Sequence, residues 1–116
     1  MENKVTIQDQ NLIVEPTGLS KLASFKNKFI IPLSHVAGAT VDPGIMKESA
    51  GWRNPGTGLP NYRGGTFEKD HEKSFFNVTT KEEPLVIQLK EEKFIRLVLG
   101  VEDPKALAEE INNQIN

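Results

Sequence analysis

The sequence predicts a mainly β protein of the α+β type, with about seven or eight antiparallel strands closed by one C-terminal helix. Two observations support this fold class: short apolar segments alternate with polar turns along most of the chain, and residues 103–116 change to helical spacing. The 116 residues, of which 37% are hydrophobic and 26% charged, fit one globular domain over residues 1–116.

The first strands are indicated by apolar residues that alternate with polar ones. KVTIQDQNLIVEP reads as a hairpin, because Val5 and Ile7 alternate with polar residues before a turn at 9–11, and apolar residues alternate again after it. TGLSKLASF has helical spacing, and Thr17 is placed to cap it. FIIPL follows as a strand that Pro32 ends or confines to an edge, and residues 35–42 predict another strand.

The second half repeats the pattern at short spacing. Residues 43–65 predict a long loop, and four strand segments follow it: GTFEK, SFFNVTT, PLVIQLK and KFIRLVLGV. The breaks between them are polar. Within the last two segments the apolar residues recur at every second position, which is typical of half-buried antiparallel strands.

The C-terminal segment predicts an amphipathic helix. Asp103 can cap its N-terminus and Pro104 suits the first helical position. Leu107, Ile111 and Ile115 then form one narrow apolar stripe. We expect this stripe to pack against the open mouth or face of the sheet.

Composition excludes several classes of function. The chain has no Cys, so disulfides, thiolate metal sites and cysteine nucleophiles are excluded. The net charge of −2 excludes a globally basic nucleic-acid-binding protein. No signal peptide and no membrane-spanning run of apolar residues is recognisable, so we expect a cytoplasmic protein with no transmembrane segment.

No residue pattern indicates catalysis or a cofactor. His35 and His71 lack the spacing of a metal site, and they read as a partly buried structural side chain and a solvated turn residue. Ser34 and His35 are neighbours on a predicted strand, where they would point to opposite faces. The glycines at 56–58 lack the Lys-Ser/Thr and the helix of a phosphate-binding loop. We therefore predict no enzyme activity, no metal and no cofactor.

Residues 48–67 are the candidate binding segment. ESAGWRNPGTGLPNYRGGTF holds the only Trp, the only Tyr and two of the three Arg of the chain. Aromatic and guanidinium groups are favoured at interfaces, so Trp52, Arg53, Tyr62 and Arg63 are the candidate partner-binding residues. The alternative is a self-packed loop in which Trp52 plugs the open end of a barrel.

The order of the motifs resembles a known family. IPLSHVAGATVDPG, PGTGLP, GGTF and RLVLGVEDP, followed by the closing helix, are similar to a bacterial PH-like family that includes sublancin-type bacteriocin immunity proteins and related uncharacterised small proteins. The resemblance covers nearly the whole chain. It implies a PH-like barrel or sandwich capped by a C-terminal helix, and a non-catalytic role.

The resemblance leaves the ligand open. It implies a non-catalytic binding module related to bacteriocin immunity, and PH-like domains in general bind lipids, peptides or proteins. We expect a protein or peptide partner. One alternative is peripheral contact with anionic lipid, which the few basic residues make weak. A second alternative is a homo-oligomeric structural protein that associates through an exposed edge strand.

Overall fold

The computed structural model describes residues 3–17, 28–47, 52–59 and 62–115, and for 52–59 it describes the backbone alone. Within these residues the chain forms strands, two short 3-10 helices at 33–35 and 43–47, and an α-helix. The strands and the helix are β1 (Asn3–Gln8), β2 (Asn11–Pro16), β3 (Phe29–Pro32), β4 (Val36–Val41), β5 (Trp52–Leu59), β6 (Tyr62–Lys69), β7 (Glu72–Thr79), β8 (Leu85–Leu89), β9 (Arg96–Leu99) and α1 (Pro104–Ile115).

The strands form two sheets. The smaller sheet has the order β1-β2-β3, and the larger sheet has the order β4-β8-β9-β7-β6-β5. The mainly β class with a closing C-terminal helix is confirmed. Neighbouring strands run antiparallel, as predicted, except that β7 and β9 are parallel. The helical turns predicted at 17–25 lie outside the described residues, apart from Thr17.

The main core lies between the two sheets and α1. Fully buried side chains from both sheets and from the helix meet there, among them Leu12, Phe75, Leu97 and Ile111. The rings of Phe29, Phe75 and Phe94 pack edge to face, with centroids 4.8 to 6.1 Å apart. This geometry favours aromatic pairs beyond the area that they bury. The predicted apolar faces of β8, β9 and α1 therefore cover one common core.

The larger sheet is buried on both faces at its centre. Leu97 and Leu99 of β9 face the main core, whereas Val98 between them belongs to a second, smaller apolar cluster. The buried members of this second cluster are Phe67, Phe76, Val78, Val86 and Val98, with Ile45 and Met46 packed against them. A strand with two buried faces belongs in the interior of a sheet, which is where β9 lies, between β8 and the parallel β7.

Two hairpins turn through left-handed residues. Asp9 and Gln10 have φ of 53° and 66°, and Asp70 and His71 have φ of 54° and 68°. Positive φ at both central residues is the signature of a two-residue type I′ turn, whose twist matches that of the flanking strands. Both hairpins were predicted, but neither turn has the glycine that usually marks this geometry.

The helix α1 begins and packs as predicted. The carboxylate of Asp103 accepts a hydrogen bond from the backbone N–H of Ala106 at 3.2 Å. On the packed side, the side chain of Asn112 pairs with Ala39 of β4: its Oδ1 accepts from the Ala39 N–H at 2.9 Å, and its Nδ2 donates to the Ala39 carbonyl at 2.8 Å. The helix thereby closes the outer edge of β4, as a neighbouring strand would.

The predicted long loop over 43–65 is wrong. Its first residues form the 3-10 helix at 43–47, and most of the remainder forms the hairpin of β5 and β6. Proline disfavours a central strand because it cannot donate to the ladder. In β5 this restriction does not apply, because Pro55 lies where the register shifts between Arg53 and Gly56, in the outermost strand of the sheet.

Replacement of His71 by glycine should stabilise the protein. A non-glycine residue in the left-handed region carries a conformational penalty that glycine avoids. We expect His71→Gly to raise the free energy of unfolding by about 0.5–1 kcal/mol, measured by urea denaturation. His71→Val, which places a β-branched residue at the same φ, should lower it. Equal stability of the two variants would contradict the assigned turn.

Loss of the Asn112 amide should destabilise the protein through the edge of β4. We expect the free energy of unfolding of Asn112→Ala to lie about 1–2 kcal/mol below that of Asn113→Ala, because only the first variant removes two hydrogen bonds. Asn113 is exposed on the same helix turn, so it controls for the better helix propensity of alanine. Identical unfolding curves would show that the two bonds contribute nothing.

Candidate functional site

The hairpin of β5 and β6 carries all four predicted partner-binding residues at the outer edge of the larger sheet. Trp52 and Arg53 pair with Glu68 and Phe67 at its open end. Tyr62 and Arg63 pair with residues 59 and 58 beside the turn. The side chains of Trp52 and Arg53 lie outside the described residues. The described site is therefore built around Tyr62 and Arg63, which as sequence neighbours on a strand point to opposite faces of the sheet.

Tyr62 packs inward along its own strand. Its ring lies over Gly64, where a Cβ atom would come within 2.3 Å of the phenol oxygen. Only glycine leaves room for the ring at this position. The hydroxyl of Tyr62 then donates a hydrogen bond to the side-chain Oδ1 of Asn77 on the neighbouring strand. Gly64 of β6 is the direct cross-strand neighbour of Asn77 of β7. The Tyr62 ring therefore lies across Gly64 and reaches the side chain of Asn77.

Asn77 belongs to a buried amide cluster that connects the two sheets. The Nδ2 of Asn3 donates to the carbonyls of Asn77 and Gly100, both at 2.9 Å. The Nδ2 of Asn77 donates in return to Oδ1 of Asn3 at 2.9 Å. Asn77 is 0% exposed and Asn3 is 7% exposed. Since a buried amide without partners is costly, these reciprocal bonds are what allow two polar side chains to lie inside the fold.

Arg63 lies on the other face, over the second apolar cluster. The central guanidinium carbon is 5.0 Å from the ring centroid of Phe76 and 5.9 Å from that of Phe67. These distances are within the range of cation–π attraction. Arg63 therefore covers one edge of the smaller core and exposes only part of its own side chain.

The guanidinium of Arg63 is incompletely satisfied. Its Nη1 is shielded from solvent and has no hydrogen-bond acceptor among the described residues. Burial lowers the pKa of Arg63, because desolvation disfavours the charged form. A lowered pKa of a cation means that folding carries this penalty at every pH at which the group is protonated. Arginine stays protonated throughout the ordinary pH range, so a change of pH does not remove the penalty, whereas a bound anion would.

The two histidines have the predicted exposure, but His35 ends the 3-10 helix at 33–35 and does not lie on the predicted strand. The Nδ1 of His35 contacts Oε2 of Glu92 at 2.6 Å, and both side chains are partly exposed. His71 is exposed at the tip of the β6–β7 hairpin. Within 3–17, 28–47 and 62–115, no group of three or more His, Asp or Glu side chains is arranged to hold a metal ion.

A comparison with family models identifies the fold. A model of the bacterial PH domain matches residues 4–115. The chain belongs to the bacterial PH domain family. No curated protein and no solved structure matches it.

Family membership indicates a type of role. PH-like domains are generally non-catalytic modules that bind proteins or lipids, so membership suggests a binding module. In the part of the chain that is described, no helix is both long and apolar enough to cross a membrane.

Sequence reasoning missed Asn3 and Asn77. The available signal for Asn77 was its position in SFFNV, where one amide interrupts a run of apolar residues. Such a residue is either on a solvent face or hydrogen-bonded in the interior. Asn3 carries no comparable signal, because it lies at the beginning of a strand among polar neighbours.

Removal of the Tyr62 hydroxyl should weaken the connection to the amide cluster. We expect Tyr62→Phe to lower the free energy of unfolding by about 1–2 kcal/mol, because a buried Oδ1 loses a donor. In a double-mutant cycle with Asn77→Ala, the two changes should be strongly non-additive. Additive effects, measured by urea denaturation, would show that the hydroxyl does not act through Asn77.

Proposed function

We propose that this bacterial PH domain is a non-catalytic binding module that takes up a carboxylate of a partner protein at Arg63. The observation that carries the proposal is the buried Nη1 of Arg63, for which the described part of the chain offers no acceptor. An unsatisfied buried donor is uncommon in folded proteins and calls for an explanation such as a missing ion or ligand. A carboxylate would supply the acceptor and offset the desolvation of the guanidinium.

The surroundings of Arg63 favour a single carboxylate over a lipid surface. Phe67 and Phe76 form an apolar support that holds the planar guanidinium in place. Arg96, a further arginine of the same sheet, is already bonded through Nη1 to the hydroxyl of Ser74 at 2.9 Å. Anionic membranes attract clusters of cations, each contributing about 1 kcal/mol, and the net charge of −2 opposes such attraction.

The resemblance to a bacterial PH-like family that includes sublancin-type immunity proteins supports a physiological setting. In this proposal the module acts in the cytoplasm, in self-protection against a bacteriocin or in a related response. Trp52 and Arg53 lie at the far end of the same hairpin and are proposed to extend the contact with the partner. A cluster of bacteriocin genes beside the gene for this protein would support this setting, and the absence of such a cluster would contradict it.

Anion titration tests the site. We expect the side-chain Nε–H resonance of Arg63, followed by nitrogen-15 NMR, to shift saturably with sodium acetate. Sodium chloride at equal ionic strength should not reproduce the shift. Acetate near ten times its Kd should also raise the free energy of unfolding by about 1.4 kcal/mol. Arg63→Met, which keeps an apolar side chain over the two rings, should lose this stabilisation.

The control measurements separate the alternatives. Equal stabilisation of wild type and Arg63→Met by acetate would overturn the site. If inorganic phosphate saturates the site at a lower concentration than acetate, the ligand is a phosphate-bearing group and not a carboxylate. If the wild type sediments with anionic vesicles and Arg63→Met does not, the partner at this site is a membrane and not a protein.

A further inference from the structure

Among the described residues, no strand pairs with the outer edge of β1. This strand is the first in the order β1-β2-β3, so β2 covers only one of its edges. The two-residue turn at Asp9 and Gln10 determines which backbone groups point outward. Gln8 and Asn11 flank this turn and form a hydrogen-bonded pair. Hydrogen-bonded and non-hydrogen-bonded pairs alternate along an antiparallel ladder. Val5 and Ile7 are therefore in non-hydrogen-bonded pairs, and their N–H and C=O groups point away from β2.

These outward groups have no partner in the described structure. No backbone hydrogen bond joins residues 4–8 to any described residue other than those of β2. Two other sheet edges are protected from pairing with a further strand. The side chain of Asn112 closes the edge of β4, and β3 ends at Pro32, which has no N–H to donate. An exposed edge with regular spacing is a template for an added strand.

A cavity of about 520 Å³ lies between the first residues of β1 and the first turns of α1, and Thr17, which follows β2, also lines it. That volume is in the range of pockets that hold ligands. Val5 and Leu107 contribute apolar walls to it, and both are only half-buried. The cavity can therefore accept a side chain that has an apolar stem.

The negative charge of the cavity lining favours a side chain whose terminal group is cationic. Three carboxylates line it, those of Glu102, Asp103 and Glu110, against the single amine of Lys4. Asp103 already caps α1. Glu102 and Glu110 have no ion-pair partner among the described residues. A lysine or arginine side chain matches this lining, since its stem is apolar and its end is cationic.

We propose that an extended, basic segment of a partner protein adds to the edge of β1 as a strand and places a lysine or arginine side chain in the cavity. The backbone groups of Val5 and Ile7 bind the added strand, and Glu102 and Glu110 bind the cationic end. A second copy of this chain is a poorer occupant, because it brings the same three carboxylates to the contact. This surface is separate from Arg63 and does not depend on the function proposed there.

Selection from a display library tests the proposal. The probes are random capped nine-residue peptides, selected on the full protein. We expect enrichment of lysine or arginine at one position of an alternating apolar pattern. In a hydrogen-exchange experiment with a selected peptide, the amides of Val5 and Ile7 should become protected. Those of Lys4 and Thr6, already bonded to β2, should change little.

Matched variants locate the contact. The double variant Glu102→Gln/Glu110→Gln keeps side-chain shape and should weaken peptide binding by at least about tenfold. Glu109→Gln, at an exposed position of α1 that does not line the cavity, should leave binding unchanged. N-methylation of alternate peptide amides should abolish binding, because the added strand then cannot donate to β1.

Three results would overturn the proposal. The first is a selection with no preference for basic over acidic residues, including one that yields no binder. The second is binding without protection of the Val5 and Ile7 amides. The third is a concentration-dependent dimer, detected by sedimentation, that protects those same amides and so shows that a second copy occupies the edge.

Discussion

The reciprocal bonds between Asn3 and Asn77 are the constraint on which the relation of the two sheets depends. Apolar packing between sheets tolerates small displacements, whereas a buried amide requires specific partners. The Nδ2 of Asn3 reaches the carbonyl of Asn77 in β7 and that of Gly100, directly after β9, only at the observed placement. A slip of one residue in β1 would turn Asn3 outward and remove its reciprocal hydrogen bonds with Asn77. The cluster thereby specifies one arrangement of the core, which the apolar residues alone would not do.

Most of the fold could be predicted because burial on one face imposes a period of two. Val5 and Ile7 show that period, and Leu107, Ile111 and Ile115 show the helical one. The residues of β8 and β9 that face the main core also recur at every second position, although Val86 and Val98 bury the other face of these strands. The parallel pairing of β7 with β9 could not be predicted in this way. Residues 74–78 are all buried, and a run that is apolar on both faces indicates a central strand without indicating its neighbours or their direction.

The candidate site could be predicted only in part. The gathering of Trp52, Arg53, Tyr62 and Arg63 in one segment drew attention to the hairpin, but Gly and Pro concealed that it is made of strands. Pro55 is compatible with β5 only because a register shift and an outer position remove the need for its N–H. Without the strand assignment, the separation of Tyr62 and Arg63 onto opposite faces was hidden. Whether Trp52 and Arg53 contact a partner stays a prediction.

The amide cluster also has a consequence for the order of folding. Asn3 bonds to groups 74 and 97 positions away in the chain, whereas the two type I′ hairpins close locally. Distant contacts form only after the entropy of closing long loops has been overcome. During synthesis the smaller sheet therefore emerges with the face of Leu12 and Val14 uncovered, until β7, which carries Asn77, and β9, which Gly100 follows, are made. The nascent chain is most exposed to aggregation and to chaperones in that interval.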